Sequence, residues 1–102
     1  MTAAKIPALN DAARTSFIGC RVVITEGISD MDDLDGLYAK VRLFDEFTER
    51  NDPYGEHDFG AVEHEGQTVF WKFDLYEDPD VKSANDPTAI TRVITIMLPS
   101  DY

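Results

Sequence analysis

The chain has 102 residues, with 20 Asp+Glu against 9 Lys+Arg, a formal net charge of −11, and 43% hydrophobic residues. That length fits one domain, so residues 1–102 are read as a single domain able to build one modest core. The acidic balance argues against direct nucleic-acid binding, which needs a basic footprint, and no apolar run approaches the ~18 residues of a membrane span.

In chain order, Leu9, Ala12, Ala13, Ser16 and Phe17 recur at helical spacing and predict a helix over Pro7–Ile18. Pro7 suits its first turn and Gly19 its stop. Arg21–Thr25 (RVVIT) is short and β-branched, hence a strand, broken by Glu26-Gly27. Ser29 or Asp30 then caps a second helix, with Asp32 and Asp33 in its first turn, where carboxylates complement the dipole. Met31, Leu34, Leu37, Val41 and Phe44 repeat at helical spacing and extend that helix over about Met31–Phe47, weakened at Gly36. Thr48–Gly60 (TERNDPYGEHDFG) has no periodicity and reads as a long loop. Ala61–Glu65 and Thr68–Tyr76 flank Gly66-Gln67 as a hairpin. On its second arm Val69, Trp71, Phe73 and Leu75 share a core face, and Phe70, Lys72, Asp74 and Tyr76 a half-wet one. Glu77–Pro87 is an Asp/Pro-rich loop, and Thr91–Leu98, apolar on both faces, is a central strand ended by Pro99. The order α-β-α-β-β-β predicts an α+β fold: an antiparallel sheet of about four strands with two helices packed on one face.

The charge is unevenly placed. Residues 1–25 hold only Asp11 against Lys5, Arg14 and Arg21, whereas residues 26–102 hold the other 19 acids against six bases. Glu26, Asp30, Asp32, Asp33 and Asp35 have no base among them, and Arg50 alone opposes the eight acids of residues 45–65. Such a surface is soluble and steers basic partners.

The loop Asn51–Gly60 is the densest polar constellation, with Asp52, Glu56, His57 and Asp58 close together. A metal site there lacks the D-x-D-x-D-G order of a Ca²⁺ loop and the H-E-x-x-H of a zinc helix, so no metal or cofactor is expected. General acid–base work by His57, oriented by Asp58 or Glu56, is hindered because neighbours in an extended segment point to opposite sides. A turn-rich structural loop is the plainer expectation: Asp52-Pro53 starts a turn, Gly55 supplies a positive φ, and Asp52 or Asp58 caps backbone N–H groups. Cys20 has no base in sequence to activate it and cannot make an internal disulfide. Trp71 belongs to the core. Tyr54, Tyr76 and Tyr102 stand in or beside acidic loops, as in protein-binding surfaces.

Several strings carry a resemblance: NDPYGEHDFGAVE at Asn51–Glu63, VFWKFDLYE at Val69–Glu77, Asp86-Pro87, and TRVITIMLPSDY at Thr91–Tyr102. With an LNDAAR segment at Leu9–Arg14 and a G-x-R-V-V segment at Gly19–Val23, they resemble a small bacterial family of unknown function. The resemblance implies alphaproteobacterial carriers, often plasmids and phages, and no activity from which catalytic residues carry over. As a class, small acidic proteins of mobile elements are similar to anti-CRISPR and other anti-defence inhibitors, by analogy alone.

The leading expectation is therefore a cytoplasmic, non-enzymatic inhibitor or adaptor. Asp30, Asp32, Asp33, Asp35, Glu49, Asp52, Glu56 and Asp58 would stand in for phosphates against a basic, nucleic-acid-binding surface of a CRISPR-Cas or other defence complex, as a DNA mimic does. The alternatives are a small metal- or His57-dependent enzyme centred on residues 51–60, and a structural or regulatory homodimer covering one face of the central strand.

Overall fold

A computed structural model of the chain describes residues 5–77 and 90–102. The elements are α1 (Lys5–Ser16), β1 (Arg21–Ile24), α2 (Glu26–Ser29), α3 (Leu34–Arg42), β2 (Phe59–His64), β3 (Gln67–Glu77), β4 (Ile90–Met97) and a final 3₁₀ turn, Pro99–Asp101. The fold is α+β, but the sheet is mixed rather than antiparallel. Its order is β1-β4-β3-β2, with β1 parallel to β4 and the other neighbours antiparallel. The reason is the connection. A helical crossover returns the chain so that β2 runs in the same direction as β1, as such connections do. The crossover reaches the far edge, and β3 and β4 then fill the gap, leaving β4 parallel to β1. Two antiparallel steps account for the expected pattern; the crossover breaks it.

The helices differ in number as well. The second helix expected over Met31–Phe47 is shorter, Leu34–Arg42, and a separate short helix precedes it at Glu26–Ser29. Glu26-Gly27, read as a break, lies inside the short α2, and α3 starts only at Leu34. The cap is neither Ser29 nor Asp30 but Asp33, whose Oδ1 accepts from the Gly36 N–H at 3.0 Å. A Cβ on Gly36 would collide with the Asp33 carboxylate, so the glycine that weakens the helix makes room for its cap. The apolar spacing past Arg42 is real but not helical. Phe44 and Phe47 pack edge-on against Trp71, 5.5 and 6.2 Å between centroids, from an irregular segment.

The hairpin is present, but it turns at Glu65-Gly66, one residue before the expected Gly66-Gln67, because His64 pairs with Gln67, and it begins two residues early, at Phe59. One face of the sheet holds Val69, Trp71, Phe73, Ile94 and Ile96, which pack with Ile28, Leu37, Val41 and Ala13 as the core. Trp71 is fully buried; Leu75, expected beside it, is 52% exposed because it pairs with Arg92 near the sheet end. Gly60 lies under the indole, where a Cβ would sit 2.5 Å from Nε1. The opposite face carries Phe70, Lys72, Asp74, Thr95 and Met97. The Asp/Pro loop expected at Glu77–Pro87 lies, beyond Glu77, outside the described residues.

Candidate functional site

The loop between α3 and β2 is built by its own side chains. Asn51 Oδ1 accepts from the Thr48 N–H at 2.8 Å, and Thr48 Oγ1 from the Asn51 N–H at 3.2 Å. Asp52 turns inward. Its Oδ1 accepts from the Glu56 and His57 N–H groups at 3.2 and 3.3 Å, closing the turn around Gly55. His57 sits at φ +53°, a left-handed conformation that folds the loop back on itself. The extended backbone that would separate neighbouring side chains is therefore absent at this point.

His57 does not pair with Glu56 or Asp58. Its ring stacks on Phe47, centroids 3.8 Å apart and planes parallel. Its Nδ1 reaches the carboxylate of Asp11 on α1 at 2.9 Å, while Nε2 faces Asp52 Oδ2 at 3.6 Å. Carboxylates accept only, so a neutral ring can donate to one side and a protonated ring to both. Asp11 also takes Arg14 Nη2 at 3.1 Å. Arg14 is 3% exposed and lies over Phe47 and Trp71, with Nη1 donating to the Val41 and Arg42 carbonyls at the end of α3. Reciprocally, Arg42 Nε donates to the Thr15 carbonyl at the end of α1. Asn10, also buried, donates to the Glu56 carbonyl and accepts from Arg92 Nε on β4, both at 2.8 Å.

Asn10, Asp11 and Arg14 thus join α1 to the loop, to the end of α3 and to the sheet, and none of them is a candidate from sequence. A signal existed: Asn10 and Arg14 share the apolar stripe of α1 with Ala13 and Phe17, where a polar residue needs a buried partner. Asp11 on Nδ1 is the arrangement that orients a general base. Nε2, the atom that would take the proton, faces a carboxylate instead of a substrate cleft. Two clefts among the described residues lie elsewhere, between α3 and β2 and on the open sheet face. Among the described residues no three His, Cys, Asp or Glu side chains are placed to hold a metal ion. Cys20 is half-buried, and burial raises its thiol above the usual range, which suits an inert thiol.

The eight acids singled out from sequence fall into two groups. Asp30, Asp32, Asp33 and Asp35 are exposed around the start of α3, at the end of β2 where His64 Nε2 meets the Asp33 carbonyl at 2.8 Å. Glu49, Asp52, Glu56 and Asp58 belong to the loop feeding the other end of β2, and of these only Glu49 is exposed, the others being half-buried. Six residues of strand span about 17 Å at ~3.3 Å each, so the two groups do not merge into one continuous face.

A small α+β domain with a mixed four-stranded sheet and a His–carboxylate joint is the class these features define. The chain belongs to the family described as "Protein of unknown function (DUF3768)", whose sequence model matches residues 24–101. The match includes His57, Asp52 and Arg92 and leaves out α1 with Asn10, Asp11 and Arg14. No curated protein and no solved structure matches the chain. No helix among the described residues is long and apolar enough to cross a membrane.

Proposed function

We propose that this protein is a non-enzymatic inhibitor or adaptor that binds a basic protein surface, of the kind that otherwise holds nucleic acid in a host-defence complex. One observation carries this. Asp30, Asp32 and Asp35, with Glu26 beside them, are exposed at the α2–α3 junction, and none has a cationic partner among the described residues. Unpaired carboxylates of one sign produce a field that attracts and orients a basic partner. Asp33 adds a carboxylate whose position the Gly36 N–H fixes. Asp52 serves the loop instead, being bonded to its backbone. The anti-defence role, the mobile-element origin and the cytoplasmic location rest on analogy with small acidic proteins of plasmids and phages.

The test is capture of partners from an alphaproteobacterial lysate at low and high salt, by the native protein and by a variant with Asp30→Lys, Asp32→Lys and Asp35→Lys. The expected outcome is salt-sensitive capture of a DNA- or RNA-binding complex, lost in the variant, with the captured complex releasing its nucleic acid when this protein is added. Capture indifferent to both salt and charge reversal overturns the proposal. The Asp11–His57 pair favours a second reading, a His57-dependent enzyme, which needs Nε2 free of Asp52. Any activity found in the protein that survives His57→Gln unchanged removes it.

A further inference from the structure

The sheet face opposite the helices carries a cleft of about 540 Å³. We infer that this cleft receives an arginine side chain of the basic partner, an inference that rests on the function just proposed and gives it a second contact point.

Phe59 and Tyr102 line the cleft. Both pack on Phe70, outside the lining, and the three rings brace one another with centroids 5.1 to 6.0 Å apart and planes tilted or edge-on. Tyr102 stands at the lip, 76% exposed. Three carboxylates line the same cleft, those of Asp58, Asp74 and Asp101, against the single ammonium of Lys72. Lys72 is already committed to Asp74 at 3.0 Å, which raises it above the usual lysine range and keeps it charged. The lining therefore retains two carboxylates without a cation among the described residues. They are held in different ways. Asp101 Oδ2 accepts from Thr25 Oγ1 at 2.9 Å and from the Leu98 N–H at 3.2 Å, leaving Oδ1 without a bond among the described residues. The Asp58 backbone carbonyl accepts from the Phe73 N–H at 2.8 Å, and its carboxylate makes no bond among the described residues.

Carboxylates that share a cleft with aromatic rings favour a planar, delocalised cation. Guanidinium stacks on a ring while its N–H fork reaches carboxylates, and it is more weakly hydrated than ammonium. An anionic or purely apolar occupant would leave Asp58 and Asp101 uncompensated in the cleft.

The experiment is a titration of the ¹⁵N-labelled protein with tetra-arginine and, separately, tetra-lysine peptides, followed by amide shifts. The expected result is saturable shifts at Lys72, Thr95 and Met97, stronger affinity for the arginine peptide, and about tenfold weaker binding in both Asp58→Asn and Tyr102→Ser. Both changed side chains lie outside the core, so the dispersion of the spectrum reports that the fold is kept. Saturable shifts confined to residues 30–35 overturn the cleft while leaving the acidic-surface reading standing. Equal affinity for the two peptides, or no saturable shift, also overturns the cleft, and the lysate capture then decides the broader reading alone. Shifts at the cleft that grow with protein concentration in the absence of peptide assign the face to a second copy and overturn it as well.

Discussion

At the scale of single residues, His57 shows how an uncomfortable backbone is kept in place. A non-glycine residue in the left-handed region costs on the order of 1–3 kcal/mol and persists only where its surroundings over-determine it. Here they do: Phe47 stacks on the ring, Asp11 takes Nδ1 and Asp52 holds the backbone N–H. His57→Ala keeps the unfavourable φ and loses the ring contacts, so a loss of about 2 kcal/mol is expected in urea unfolding. Asp11→Ala also destabilises, and the double variant should lose less than the sum of the two, with a coupling of about 0.5–1 kcal/mol for a pair this accessible to solvent. Strict additivity would show that the Asp11–His57 contact contributes nothing. Cys20 gives a second residue-level expectation. Burial favours its neutral thiol, so alkylation by iodoacetamide should be slower than that of a free cysteine, with its pH midpoint moved to the alkaline side; a normal midpoint contradicts this. The site was half legible. Composition alone marked the loop, with His57 and Asp52 in it. Asp11 lies 46 residues from His57, and nothing in local spacing links them.

At the scale of elements, strands were easier to read than their directions. Alternation along Val69–Phe73 and the two-faced apolar run of Thr91–Leu98 depend on burial, which sequence records directly. Parallel pairing of β1 with β4 depends on a crossover spanning the whole sheet, which no local pattern records. The helix bounds failed for a related reason: Phe44 and Phe47 keep apolar spacing because Trp71 needs covering, whichever backbone carries them. Two glycines make this scale testable. Gly36→Ala would ordinarily gain about 1 kcal/mol of helix propensity. The new Cβ displaces the Asp33 carboxylate, and losing that cap costs about as much. Thermal melts should therefore show no stabilisation, and a clear rise in melting temperature would mean the cap contributes little. Gly60→Ala sets a methyl against the Trp71 indole and should cost about 1–3 kcal/mol by overpacking. Trp71 is the single tryptophan, so its fluorescence reports both the unfolding and any shift of the ring.

At the scale of the whole molecule, composition records the −11 charge but not its arrangement. β2 separates the acids of the α2–α3 junction from those of the 48–58 loop, and the open sheet face holds a third set. Like charges repel where they stand within a Debye length, about 10 Å at 0.1 M salt. Salt should therefore stabilise the fold: raising NaCl from about 20 mM to about 500 mM shortens the screening length severalfold and raises the melting temperature. The junction identifies where that gain originates. Asp30→Lys with Asp32→Lys removes like charges that face no cation among the described residues. The double variant should melt higher than the native protein at low salt and match it at high salt, since screening removes the repulsion in both. Neither substitution touches the Asp33 cap or a core residue, so a difference that persists at high salt would point to a non-electrostatic cause. Equal melting at low salt would show that the junction acids are already too far apart to repel. They would then also be too dispersed to present a partner with a concentrated field, and the same pair of melts bears on the proposed docking surface before any partner is found.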